Sequence, residues 1–203
     1  GIVQEFLSLV SATAPGSPIP APDSPQAVYR KLGQMLKWSD APRALGDVST
    51  DAPVTTRFVV DVIAGTSAGG INGIFLAKAL VGGKSLKPLM SLWVEEADLE
   101  LLLNDKHSEE GRRFKQPGPP QALLNGSRMF VKLVEAFNAI DVADDSAGGI
   151  GLAEELDLFV TTTDIRGATV PIELANTVAS EKVHKHVFHF KYATAHASGA
   201  PID

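Results

Sequence analysis

Residues 57–80 hold the pattern that most narrows the choice of fold. A β-branched apolar run leads into a turn of small residues around one serine, and helical spacing follows. Residues 57–64 (Arg-Phe-Val-Val-Asp-Val-Ile-Ala) are nearly continuously apolar between turn formers, the pattern of a strand buried on both faces. Beyond Gly65-Thr66-Ser67-Ala68-Gly69-Gly70, apolar residues recur at Ile71, Ile74, Phe75, Ala77 and Leu80 and stop near Gly82-Gly83, which predicts a helix. Strand, sharp turn and helix in that order form a nucleophile elbow.

The glycines of such a turn have a steric reason. The serine adopts a strained backbone conformation, and side chains at Gly65 and Gly69 are expected to collide with the adjoining strand and helix. Ser67 is therefore the candidate nucleophile, with Gly65, Thr66, Gly69 and Gly70 shaping the elbow. The positive end of the following helix adds the backbone N–H of Ala68 as a donor for negative charge on a substrate carbonyl oxygen. A glycine-rich turn that only packs closely or binds phosphate is the competing account. The predicted strand before it and helix after it favour the nucleophile.

Elsewhere the chain reads as alternating elements. A helix with one buried face is expected over residues 2–10, followed by a surface loop over 14–25 that holds five prolines. Ser24 reads as an N-cap with Pro25 at the first helical position, opening a helix through Val28, Leu32, Met35 and Leu36 that ends before Pro42. Helices are also expected over 86–103 and, with Ser127 as N-cap, over 128–140. Residues 108–120 and 141–151 read as loops. Strands are expected over 156–163 and 183–192, with a weaker one over 169–174 that Pro171 places near an edge and the break Asp164-Ile165-Arg166-Gly167 before it. Strands separated by helices predict an α/β layered fold, a single domain over residues 1–203, with a largely parallel sheet.

A serine hydroxyl needs a base, and the residues offer two ways to supply one. The order Ser67, Asp164, then His184, His186, His189 or His196 matches a Ser-Asp-His triad. Alternatively a carboxylate alone takes the proton. Sequence order does not choose between them. Asp164 has a plainer role available as the cap of its own turn.

Residues 61–80 (Asp-Val-Ile-Ala-Gly-Thr-Ser-Ala-Gly-Gly-Ile-Asn-Gly-Ile-Phe-Leu-Ala-Lys-Ala-Leu) resemble the nucleophile region of the patatin-like phospholipases, whose motif is Gly-Thr-Ser-Ala-Gly. Softer similarity, chiefly to the long patatin-related proteins of bacteria, extends through Gly1-Ile2-Val3-Gln4-Glu5-Phe6, Leu92-Trp93-Val94-Glu95-Glu96-Ala97-Asp98 and Val160-Thr161-Thr162-Thr163-Asp164. The resemblance implies a three-layer α/β/α sandwich with a mostly parallel central sheet, and a lipid acyl hydrolase using a Ser-Asp dyad. In that family the aspartate lies in a downstream Asp-Gly-Gly or Asp-Gly-Ala, and a glycine-rich loop near the N-terminus completes the oxyanion hole. No aspartate here is followed by glycine. The dyad aspartate is therefore expected beyond Asp203, and Gly1 is expected to be the last glycine of the oxyanion loop in a domain truncated at both ends. On its own such a fragment is expected to be inactive, and a catalytically silent scaffold is the remaining alternative.

Composition bounds the rest. A net charge of −6 shows no basic field, so nucleic acid is not an expected partner. Asp61 and Lys78 bracket the most apolar stretch, leaving no uncharged run of the ~18 residues that a spanning helix needs. No signal-peptide pattern opens the chain, so the cytoplasm or a peripheral membrane surface is the expected place, with a lipid or other acyl ester as partner. Without cysteine there is no thiolate site, and His184 and His186 lack a third ligand, so no metal and no cofactor are expected. Asp141, Asp144 and Asp145 lack the spacing of a calcium loop. Arg112, Arg113 and Lys115 read as solvated charges balancing Glu109 and Glu110, with a lid that greets an anionic headgroup as the alternative.

Overall fold

The computed structural model describes residues 1–36, 53–96, 98–110, 113–115, 117–119, 122–142 and 151–194. The chain divides into two compact units, Gly1–Val81 with Gly151–Asp203, and Gly82–Ile150.

The first unit opens with α1 (Ile2–Thr13), against which α2 (Pro25–Met35) packs. α2 starts where the sequence predicts: the Ser24 side chain accepts the Ala27 amide at 3.3 Å, and Pro25 fills the first helical position, where its missing N–H costs nothing. The Tyr29 hydroxyl donates to Glu5 at 2.6 Å. That hydrogen bond favours the neutral phenol and raises the Tyr29 pKa.

β1 (Val62–Thr66), α3 (Ala68–Gly82), β2 (Glu155–Leu174) and β3 (Thr177–Ala193) complete the unit. The sheet has the order β1-β2-β3. β1 runs parallel to β2, from Val62 opposite Asp157 to Thr66 opposite Thr161, and β3 returns antiparallel to β2. The sheet is therefore mixed rather than largely parallel. Only two residues, Ala175 and Asn176, separate Leu174 from Thr177, and a link that short joins strands only as a hairpin.

Two expectations about strands are corrected. The first strand covers Val62–Thr66 instead of residues 57–64, and it is not buried on both faces: its residues alternate between exposed and half-buried, and among the described residues β2 is its one strand partner. β2 does not stop at Asp164. Residues 164–167 stand opposite a single residue of β3, since Thr163 pairs with Lys185 and Ala168 with Val183, and the ladder resumes beyond this bulge. Pro171 is tolerated there because, among the described residues, β2 has a strand neighbour on one side alone at that level.

Buried Leu156 and Leu158 of β2 and buried Phe75, Leu76 and Leu80 of α3 form the core beside the sheet. α3 lies close to the strands, with Gly73 over Ile63 and Leu158. The Leu152 amide donates to the Leu80 carbonyl at 2.7 Å, tying the approach to β2 to the end of α3. Each buried leucine contributes roughly 1.5–3 kcal/mol.

In the second unit the helix expected over 86–103 is broken into α4 (Lys87–Ser91), a π-helical turn (Leu92–Glu96) and α5 (Leu99–Leu102). Asp98 accepts the Glu100 amide at 3.0 Å and so starts a new helix. α6 (Gly126–Val142) is capped by Asn125, which accepts the Arg128 amide at 3.1 Å, and not by Ser127, which lies inside its first turn. Asp141 belongs to α6 rather than to a loop, while Asp144 and Asp145 lie outside the described residues.

Arg128, with 4% of its side chain exposed, pairs with Glu96 and, at 3.5 Å, with Glu110. Lys132 reaches Glu96 at 2.9 Å and Glu110 at 3.3 Å. Arg113 pairs with Glu110 at 3.5 Å and with Glu135, as a half-exposed charge balancing its neighbours; Arg112 lies outside the described residues and Lys115 is exposed. Desolvation alone would raise the Glu110 pKa, but the Lys132 hydrogen bond and the charges of Lys132, Arg128 and Arg113 outweigh it and hold the carboxyl low. The Glu96 hydrogen bond, against a desolvation penalty, raises the Lys132 pKa.

A lowered carboxyl pKa contributes stability above its unfolded value that disappears as pH falls through the folded one, and a raised lysine pKa contributes stability lost only as pH rises through its folded value. Stability of this unit should therefore fall as pH drops below 4.5, the ordinary value for Glu110. Arg128→Ala, which removes one buried cation from Glu96 and Glu110 and leaves Lys132 paired with both, should cost about 1–3 kcal/mol in urea denaturation followed by circular dichroism. Arg113→Ala should change it little.

Candidate active site

Ser67 stands between β1 and α3 with φ +55°, in the left-handed region that residues with a Cβ rarely occupy. Its carbonyl accepts the Ile71 amide at 3.1 Å, so Ser67 holds the N-cap position of α3. The amides of Ala68, Gly69 and Gly70 then have no carbonyl one turn back within the helix, and the positive end of α3 begins beside the serine. Such amides can stabilise an oxyanion.

A steric fact holds the strand and helix in this relation. A Cβ on residue 65 would lie 2.4 Å from the Gly69 carbonyl oxygen and 2.7 Å from the Gly70 nitrogen. Only glycine fits. At Gly69 the expected collision is absent: a Cβ there meets nothing within 4 Å. At Gly70 a Cβ would meet the Val160 methyl at 3.2 Å. Thr66 shares a hydrogen bond between hydroxyls with Thr161, pinning the end of β1 to β2.

Ser67 opens into a cleft of about 770 Å³. Ile71 and Ile74 of α3, Val160 and the threonines 161–163 of β2, Thr66 and Lys185 line it. The threonines and Lys185 escaped the sequence reading. The signal for the threonines was available, since ligands in parallel sheets gather beyond the carboxyl ends of the strands, where β1 ends beside Thr161.

Asp164, His184, His186 and His189 of the triad alternative do not line this cleft. Asp164 accepts the Arg166 amide at 2.9 Å, capping its own turn, and its carbonyl accepts His184 Nδ1–H at 2.8 Å. His186 Nε2 is 3.9 Å from Asp164 Oδ2. His189 bonds Asp157 at 2.5 Å and stacks on Phe159 with ring centroids 4.2 Å apart. His196 lies outside the described residues. Gly1 opens α1, its carbonyl accepting the Gln4 amide at 3.0 Å, and is not part of the cleft lining. Among the described residues no three His, Asp or Glu side chains are grouped so as to hold a metal ion.

No protein-family model matches the chain, and no solved structure matches it. It is similar to an uncharacterized membrane protein of Mycobacterium tuberculosis (strain ATCC 25618 / H37Rv), with 28% identity over 113 residues, 54% of this chain and 10% of that protein. The chain thus spans about a tenth of the length of the curated relative it matches.

The two glycines should separate cleanly on substitution. Gly65→Ala should destabilise the protein by about 3 kcal/mol, since backbone must move to admit the methyl. Gly69→Ala should leave stability unchanged or raise it by up to about 1 kcal/mol, because alanine favours the helix. Thermal unfolding of both variants reads the difference.

Proposed function

We propose that this chain carries the nucleophile of a serine lipid acyl hydrolase of the patatin-like kind, within a three-layer α/β/α domain that extends beyond these residues. The observation that carries it is Ser67 at positive φ, raised between a strand and a helix N-terminus at the mouth of a cleft. A non-glycine residue held in that conformation is a strain that active sites use.

In the proposed reaction the Ser67 oxygen bonds to the carbonyl carbon of an ester, and its proton passes to an aspartate. The amide of Ala68 holds the oxyanion, and the resemblance implies a glycine-rich loop as its second donor. The alcohol leaves with a proton, and water then releases the acyl group as a carboxylic acid. The described lining of the cleft holds no carboxylate, and the resemblance to the patatin-like family implies a dyad aspartate beyond Asp203. No cofactor enters these steps. A membrane surface fits as the place of action: the relative is labelled a membrane protein, and among the described residues no helix is long and apolar enough to cross a membrane.

In the full-length protein a fluorophosphonate probe should label Ser67. Ser67→Ala should abolish labelling and reduce ester hydrolysis by about a thousandfold or more. Single replacement of His184, His186 and His189 should leave most activity. Hydrolysis undiminished in Ser67→Ala would refute the assignment.

A further inference from the structure

The Ser67 cleft has walls of two chemistries. Ile71, Ile74 and Val160 present hydrocarbon, while Thr162, Thr163 and Lys185 present hydroxyls and an ammonium. Lys185 is the one charged residue of the lining, and no carboxylate pairs with it among the described residues. The nearby Lys182 differs, since its ammonium donates to the Arg166 carbonyl at 3.2 Å.

The backbone beneath Lys185 is fixed by the bulge. Lys185 pairs with Thr163 at the last register position before residues 164–167 swing out against His184. The His184 ring donates to the Asp164 carbonyl at 2.8 Å, and Gly167, at φ +70°, leaves room for that ring where a Cβ would stand 2.8 Å from it. β3 is thereby held in register beside the cleft, with an exposed, unpaired cation at its edge.

We infer that Lys185 is a specificity-determining residue of this cleft, selecting acyl esters with a net-anionic headgroup while the acyl chain lies along Ile71 and Ile74. The inference rests on the hydrolase reading of Ser67 and adds the substrate class to it. An ammonium without a partner gains by meeting an anion, and hydrocarbon in the same cleft takes up the apolar part of an amphiphile. The gain is modest because Lys185 is exposed and screened by salt.

The test is binding to the full chain, measured by calorimetry with two monomeric short-chain lipids, dihexanoylphosphatidylglycerol (anionic) and dihexanoylphosphatidylcholine (zwitterionic). At low salt the anionic lipid should bind roughly fivefold more tightly. Lys185→Gln should remove that preference by weakening the anionic lipid alone. Lys185→Arg and Lys182→Gln should retain it. Equal affinities in the unaltered protein, or a preference that survives Lys185→Gln, would overturn the inference. Inorganic phosphate that displaces the lipid at equal concentration would also overturn it, by marking a bare anion site in place of a headgroup site. Ser67→Ala should keep the binding preference. The hydrolase reading fails separately, if that variant in the full-length protein still cleaves esters, and binding then decides the role of Lys185 alone.

Discussion

Where β1 gives way to α3, a Cβ on residue 65 would stand 2.4 Å from the carbonyl oxygen of Gly69, so strand and helix approach this closely only through a glycine. The geometry of Ser67 follows from that approach. With the helix start pressed against the strand end, the chain has one residue in which to reverse, and Ser67 takes φ +55° to do so. The conformation costs of order 1–3 kcal/mol. It is held by pairing of Thr66 with Thr161 and by burial of Phe75, Leu76 and Leu80 further along α3. Strain at the serine and packing along the helix are two parts of one arrangement.

The same sheet builds the far wall of the cleft. β1 ends at Thr66, but β2 continues, because the two-residue link at Ala175 and Asn176 brings β3 back alongside it. The cleft therefore lies where a parallel pair ends and an antiparallel pair goes on. Threonines and a lysine from the hairpin face residues of α3 that are separated from them by about half the chain.

What could be read from the sequence was whatever is encoded locally. Ser24 and Pro25 lie within one turn of the amides they serve, and both behave as their types dictate. Gly65 and Ser67 are likewise set by their immediate neighbours. Asn125, Gly126 and Ser127 are all capping residues, and propensity alone does not rank them. Asn125 takes the role because its Nδ2 donates to Ser108 at 3.1 Å and to the Phe114 carbonyl at 3.2 Å, partners far back in the chain. The break at residues 164–167 was visible as a turn, yet the strand resumes because β3 supplies a partner across the bulge. Lys185 was overlooked for the same kind of reason: its neighbours on β3 suggest only an alternating strand, and the cleft is set by Thr163 opposite it.

Charge acts on two length scales in this molecule. The net charge of −6 repels an anionic surface at a distance, but at physiological salt that repulsion decays over about 8 Å. Inside the cleft the balance reverses, since among the described residues its lining holds one ammonium and no carboxylate. The second unit handles its charges in the opposite manner. Arg128 and Lys132 are paired with Glu96 and Glu110, so that their charge is balanced within the chain. A cation stabilises a fold when its anion is supplied by the chain, and selects a ligand when it is not. Lys185 belongs to the second case, since among the described residues no carboxylate pairs with it.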